Sequence, residues 1–67
     1  MKETIAKRIR ARRRELDMSQ QELSDKSHVS RVNISLIENG KCNDILVGTL
    51  TALASALGVT VEFFLEC

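Results

Sequence analysis

The chain has no proline, tryptophan or tyrosine, only two phenylalanines, three glycines, two cysteines and one histidine in 67 residues. Each scarcity excludes something. Cys42 and Cys67 form no CxxC pair and have no histidine at ligand spacing, which rules out a zinc finger or a disulfide framework. His28 and Cys42 together supply two potential ligands, too few for a metal site. No paired carboxylates, Cys-His pair or Ser-His-Asp grouping stands where a cleft would form, so an enzyme is not expected. The basic N-terminus is not followed by an apolar run of signal-peptide length, and no stretch approaches a membrane span. A cytoplasmic chain without membrane contact follows. Repeats, linkers and low-complexity segments are absent as well, so residues 1–67 are expected to form a single domain. So short a domain has a marginal core. With no metal or disulfide to help, a second subunit is the expected aid.

What is present is organised by charge. The net charge is only +1, yet all ten Lys and Arg fall within residues 1–41, beside six of the nine acids. Residues 42–67 carry three acids and no base. The first portion suits a polyanion; the second suits another task.

Apolar spacing is helical throughout. Ile5, Ile9 and Leu16 mark a first helix over residues 2–16. Ser19-Gln20-Gln21-Glu22 is a capping box that starts a second helix, ending near Ser27. Ser30 offers another N-cap, Ile34 and Ile37 resume the apolar pattern, and Asn39-Gly40 ends the third helix. Leu46, Leu50, Leu53, Ala54 and Leu57 form one stripe of a fourth helix over residues 45–57, closed by Gly58. Thr60 caps a short fifth helix from Val61 to Leu65.

Two short helices separated by about three residues must pack across each other, which is the helix-turn-helix arrangement. From Gln20 onward, QQELSDKSHVSRVNISLIENG turns Leu23, Val29, Ile34 and Ile37 inward, with small Ser24 at the close approach of the two helices. A step of about 100° per residue then turns Val32 and Leu36 outward, with Asn33 and Ser35 on the flanks.

In MSQQEL (18–23), VSRVNISLIENGK (29–41) and ALGVTVEFFL (56–65) the chain resembles the lambda repressor/Cro, or Xre, family of helix-turn-helix proteins, over about Ile5 to Leu65. The resemblance implies a compact, all-α, five-helix lambda-repressor-like DNA-binding domain with the helix-turn-helix at about 20–38. It further implies a sequence-specific transcriptional regulator, a homodimer on a palindromic operator in double-stranded DNA, with the helix at about 30–38 in the major groove. Base reading then falls to Ser30, Arg31, Val32, Ser35 and Leu36, with Arg31 suited to guanine and Val32 to a thymine methyl. Phosphate contacts fall to Ser19, Gln20, Asn33, Asn39, Lys41 and Asn43, Gln20 being at a helix N-terminus. A structural ion pair is implied between Arg13 and Glu38, leaving Arg10, Arg12 or Arg14 for long-range attraction. Residues from about 58 to 67 form the dimerisation segment, with Val61, Phe63 and Phe64 at the interface. Of these, Phe64 also suits the core, with Val59 and Leu65, whereas Phe63 points outward. No cofactor and no small-molecule effector are implied.

Several positions depart from the family pattern. His28 occupies a left-handed turn position that is often glycine, Ser27 replaces a usually apolar residue and weakens packing there, and Leu36 stands where a polar residue is common. The loop from Gly40 to Val47 is about one residue longer than usual. The size and the Val-Glu-Phe-Phe ending are similar to those of restriction-modification controller proteins, traits that small phage repressors and antitoxins share. The competing reading is a protein-interaction module, an antitoxin or adaptor, that uses Val32, Leu36 and Phe63 on a helix-turn-helix scaffold.

Overall fold

A computed structural model describes residues 2–42 and 45–65 of the chain. Five helices follow in order: α1 (Lys2–Glu15), α2 (Gln20–Ser27), α3 (Arg31–Glu38), α4 (Val47–Leu57) and α5 (Val61–Leu65). The described residues contain no strand, so the all-α expectation holds.

The helix ends follow local chemistry. The α1 helix stops one residue earlier than its apolar spacing suggests, because Asp17 turns left-handed at φ 52° and the Met18 amide reaches back to the Arg13 carbonyl at 3.0 Å. Aspartate tolerates that region better than most residues. At the start of α2 the capping box closes reciprocally: the Glu22 amide donates to Ser19 Oγ and the Ser19 amide to Glu22 Oε1, both at 3.0 Å. His28 ends α2 with φ 62°, its amide donating to the Ser24 carbonyl at 2.8 Å. Ser30 caps α3 by accepting from the Asn33 amide at 3.2 Å. Gly40, at φ 69°, then turns the chain so that the Lys41 amide bonds the Leu36 carbonyl at 2.9 Å. Gly58, also at φ 69°, does the same for α4, delivering the Val59 amide to the Ala54 carbonyl.

Helices α1 and α3, α2 and α3, α2 and α4, and α1 and α5 pack on one another. Their shared core holds Ile5, Ile9, Met18, Leu23, Ile34, Ile37, Leu50, Leu53, Leu57 and Phe64. Each fully buried large side chain contributes roughly 1.5–3 kcal/mol.

Three expected core positions are corrected. Leu16 is exposed: it lies just past the last residue of α1, immediately before the left-handed Asp17. Leu46 is 71% exposed, because α4 begins at Val47 and Leu46 is its extended N-cap residue without a side-chain cap bond. Leu65 is exposed at the end of α5, where Phe64 alone fills the core. Ser27 is buried, but it does not leave the turn unsupported: its hydroxyl donates to the Leu23 carbonyl at 2.7 Å and accepts from the Val29 amide at 3.2 Å. A polar bridge thus ties the end of α2 to the start of the turn, the two bonds replacing the apolar contact expected there.

Candidate nucleic-acid interface

Burial of Ile34 and Ile37 fixes the roll of α3. The opposite side therefore presents Val32, 68% exposed, and Leu36, 40% exposed. Arg31 and Ser35 form a second column one turn apart on the side nearer α2, while Asn33 lies on the other side, toward Ile45, Leu46 and Thr49. Between the first residue of α2 and the outer face of α3 lies an open concavity of about 270 Å³, lined by Gln20, Arg31, Val32, Ser35 and Leu36. Four of the five residues expected to read bases thus converge on one surface with Gln20. The fifth, Ser30, stands at the N-terminal edge of α3 and engages the Asn33 amide.

The expected phosphate residues are more dispersed. Ser19 is exposed at the N-terminus of α2, with its hydroxyl already accepting from Glu22. Asn39 is the C-cap residue of α3, its amide group directed to Ser35 Oγ at 3.4 Å, and Lys41 is exposed just beyond it. Asn43 lies outside the described residues.

The orientation of α2 and α3 is set by a buried ionic network. Arg13 of α1 holds Glu38 through two parallel bonds, Nε to Oε2 at 2.8 Å and Nη2 to Oε1 at 2.9 Å. Its remaining terminal nitrogen donates to the Met18 carbonyl at 2.8 Å. Gln20 Nε2 adds a third donor to Glu38 Oε1 at 3.2 Å. Glu38 is almost wholly buried and Arg13 largely so. The hydrogen bond to Glu38, helped by its charge and opposed by burial, raises the Arg13 guanidinium above its ordinary range. One carboxylate therefore joins the end of the outward helix to the start of α2 and to the framework helix α1. The link through Gln20 has no counterpart in the sequence pattern, since it depends on how α2 crosses α3.

Two other arginines of α1 serve the fold. Arg12 Nε donates to the Leu57 carbonyl at the end of α4 at 3.0 Å. Arg8 Nη1 donates to the Phe63 carbonyl at 2.9 Å, and its guanidinium carbon lies 5.8 Å from the centroid of the Phe63 ring. Both bonds join residues more than forty positions apart, out of reach of local pattern reading.

At the C-terminal end, Phe64 has no exposed surface, and its place in the proposed interface is withdrawn: the ring fills the core where α1, α4 and α5 meet. Phe63 is half-buried, its ring edge-on to Phe64 with centroids 5.8 Å apart. It lines a surface groove with Thr4, Lys7, Arg8 and Ala11. Val61 is half-buried, and residues 66 and 67 lie outside the described residues. Among the described residues no three side chains of metal-ligating type come together, and no helix is long and apolar enough to cross a membrane.

Comparison with known proteins agrees with this geometry. A helix-turn-helix family model matches residues 9–64. An immunity repressor protein of Bacillus phage phi105 is 40% identical over 59 residues, which cover 88% of this chain and 40% of the repressor. Among solved structures, a chain of a SinR protein/SinI protein complex superposes with a TM-score of 0.88 at 29% identity, over 92% of this chain and 60% of that one. The chain thus spans about two fifths of the phage repressor and three fifths of the solved chain. The match over residues 9–64, joined to the α2–turn–α3 unit and its outward face, places the chain in the Xre-like helix-turn-helix family, whose members are DNA-binding regulators and not enzymes.

Proposed function

We propose that this protein is a sequence-specific transcriptional regulator that acts as a homodimer on a palindromic operator, with α3 of each subunit in the major groove. The observation that carries this is the convergence of Arg31, Val32, Ser35 and Leu36 beside Gln20, on a face whose direction is fixed by the Arg13–Glu38–Gln20 network. An α-helix with its side chains is about 10–12 Å across, which the major groove, about 12 Å wide, admits. Arg31 lies in its first turn, where the guanidinium fork meets O6 and N7 of one guanine. The N-termini of α2 and α3 and exposed Lys41 hold the backbone phosphates that set the pose. Val61 and Phe63 form the subunit contact at the far end, and half-sites lie about 34 Å apart, one helical turn.

Binding is tested with duplexes selected from a random pool, measured against a scrambled duplex at two salt concentrations. Arg31→Ala costs about 1–3 kcal/mol on the selected duplex and much less on the scrambled one. An equal loss on both assigns Arg31 to phosphate, and equal affinity of the native chain for both duplexes refutes sequence-specific regulation.

A second reading, a module that docks another protein, draws on the SinR/SinI complex of the structural relative and on the exposed Leu46 and Val47 at the start of α4. It predicts salt-independent copurification of a heteromeric partner, which Leu46→Ser with Val47→Ser abolishes while DNA affinity stays unchanged.

A further inference from the structure

The outer face of α3 is chemically divided, and the division has a consequence for which DNA it accepts. Arg31 and Ser35 make a polar column; Val32 and Leu36 make an aliphatic one beside it, each spanning four residues, or about 6 Å along the axis. An aliphatic pair answers no donor or acceptor on a base edge. Seated against one, it strips that edge of water without replacing the lost hydrogen bonds, which disfavours most base pairs. The major groove offers only one ordinary apolar group, the C5-methyl of thymine. Cytosine presents a methyl at the same position once it is methylated at C5. The concavity is bordered on the α2 side by Gln20, its amide nitrogen held by buried Glu38, with the polar column between Gln20 and the aliphatic one. Arg31 directly precedes Val32 on α3 and borders the aliphatic column on its polar side, so the two columns address adjacent positions in the groove.

We infer that Val32 and Leu36 form a seat for the C5-methyl group of a pyrimidine, thymine or 5-methylcytosine, one base step from the guanine held by Arg31, so that a single methyl group on the DNA controls operator affinity. This rests on the DNA-reading function proposed above and deepens it. Affinity then responds to cytosine methylation as well as to sequence. Burial of one methyl group is equivalent to about a four-fold change in Kd, and to about fifteen-fold when both half-sites lose it.

The test alters the DNA and leaves the protein intact. A duplex is selected from a random pool, and each thymine in its half-sites is replaced in turn by deoxyuridine, which removes only the methyl. Affinity is followed by fluorescence anisotropy of labelled duplex. One position per half-site is expected to lose about four-fold on replacement. With cytosine placed at that position, 5-methylcytosine is expected to bind about four-fold more tightly than cytosine, which separates the two methyl sources. Both effects are expected to vanish in the Val32→Ser, Leu36→Asn double variant, whose substituted residues are exposed and leave the fold intact by circular dichroism. Indifference to deoxyuridine at every position overturns the inference, as does a methyl effect that persists undiminished in the double variant. Failure to select any duplex over a scrambled one overturns the DNA-reading function itself, and is distinguishable because it appears before any base is modified.

Discussion

Replacing Arg13 by Met is the sharpest probe of what holds the recognition unit in place. The substitution keeps much of the stem's apolar contact but removes two bonds to Glu38 and one to the Met18 carbonyl. Glu38 is then left as a nearly buried carboxylate with Gln20 as its remaining donor at 3.2 Å. Breaking a buried pair from one side costs about 3–5 kcal/mol, since the surviving charge keeps its desolvation penalty and loses its compensation. A domain of 67 residues has roughly 3–10 kcal/mol in total, so the variant sits close to unfolding at room temperature. Without Trp or Tyr the chain has no useful intrinsic fluorescence, so urea unfolding is followed by far-UV circular dichroism, at low temperature and fixed protein concentration. With a slope of about 1 kcal/mol per molar urea, the midpoint falls by about 3 M or the native baseline disappears. The paired variant Arg13→Met, Glu38→Leu recovers most of the loss, because no buried charge remains. Folding raises the Arg13 pKa, so its contribution is complete at every pH below the unfolded value and lost only above the folded one. The difference from the native chain is therefore insensitive to arginine titration anywhere near neutrality. A midpoint shift below about 0.5 M for Arg13→Met, or a paired variant as unstable as the two single losses added together, refutes the assignment of the network as the brace between α1, α2 and α3.

Other perturbations follow from single contacts. Ser19→Ala removes half of the capping box and lowers stability by about 1 kcal/mol, a fall in Tm of roughly 4–8 °C by thermal circular dichroism. His28→Gly relieves a side chain held at φ 62° and leaves the domain equal or up to about 1 kcal/mol more stable, whereas His28→Val destabilises it, by urea titration. Arg12→Ala frees the Leu57 carbonyl and costs about 1 kcal/mol, with little effect on the discrimination between operator and scrambled DNA. Lys41→Ala weakens binding to all duplexes alike and reduces the slope of log affinity against log salt by about 1.

Much of the fold was legible because its punctuation is local. Ser19 with Glu22, Ser30, Gly40 and Gly58 act on amides and carbonyls within a few residues, and each ends or begins a helix where its chemistry requires. Periodicity, by contrast, fails at element boundaries. Leu16 and Leu46 fit their stripes by spacing, but each stands where its helix has stopped or not yet begun, so the backbone no longer carries it inward. The outward face of α3 was legible by subtraction, since Ile34 and Ile37 leave it no other direction. The bond from Gln20 to Glu38, and those from Arg8 and Arg12 to Phe63 and Leu57, were not, because they depend on distances between elements far apart in sequence.

The inward-bonded arginines of α1 also change the meaning of the charge division along the chain. Arg8, Arg12 and Arg13 tie α1 to α5, α4 and α3 in turn. A charge engaged this way still contributes to the field that attracts a polyanion, because the field sums every charge on the molecule. The donors held inward, three on Arg13 and one each on Arg8 and Arg12, are unavailable to a phosphate. Long-range attraction and close contact thus belong to overlapping but different sets of residues. Under the proposed function, the basic N-terminal portion draws DNA toward the domain with all its cations, while exposed Arg31 and Lys41 flank the outer face of α3. Arginine at 8, 12 and 13 is then required by folding first, and its positive charge serves binding without further cost to the structure.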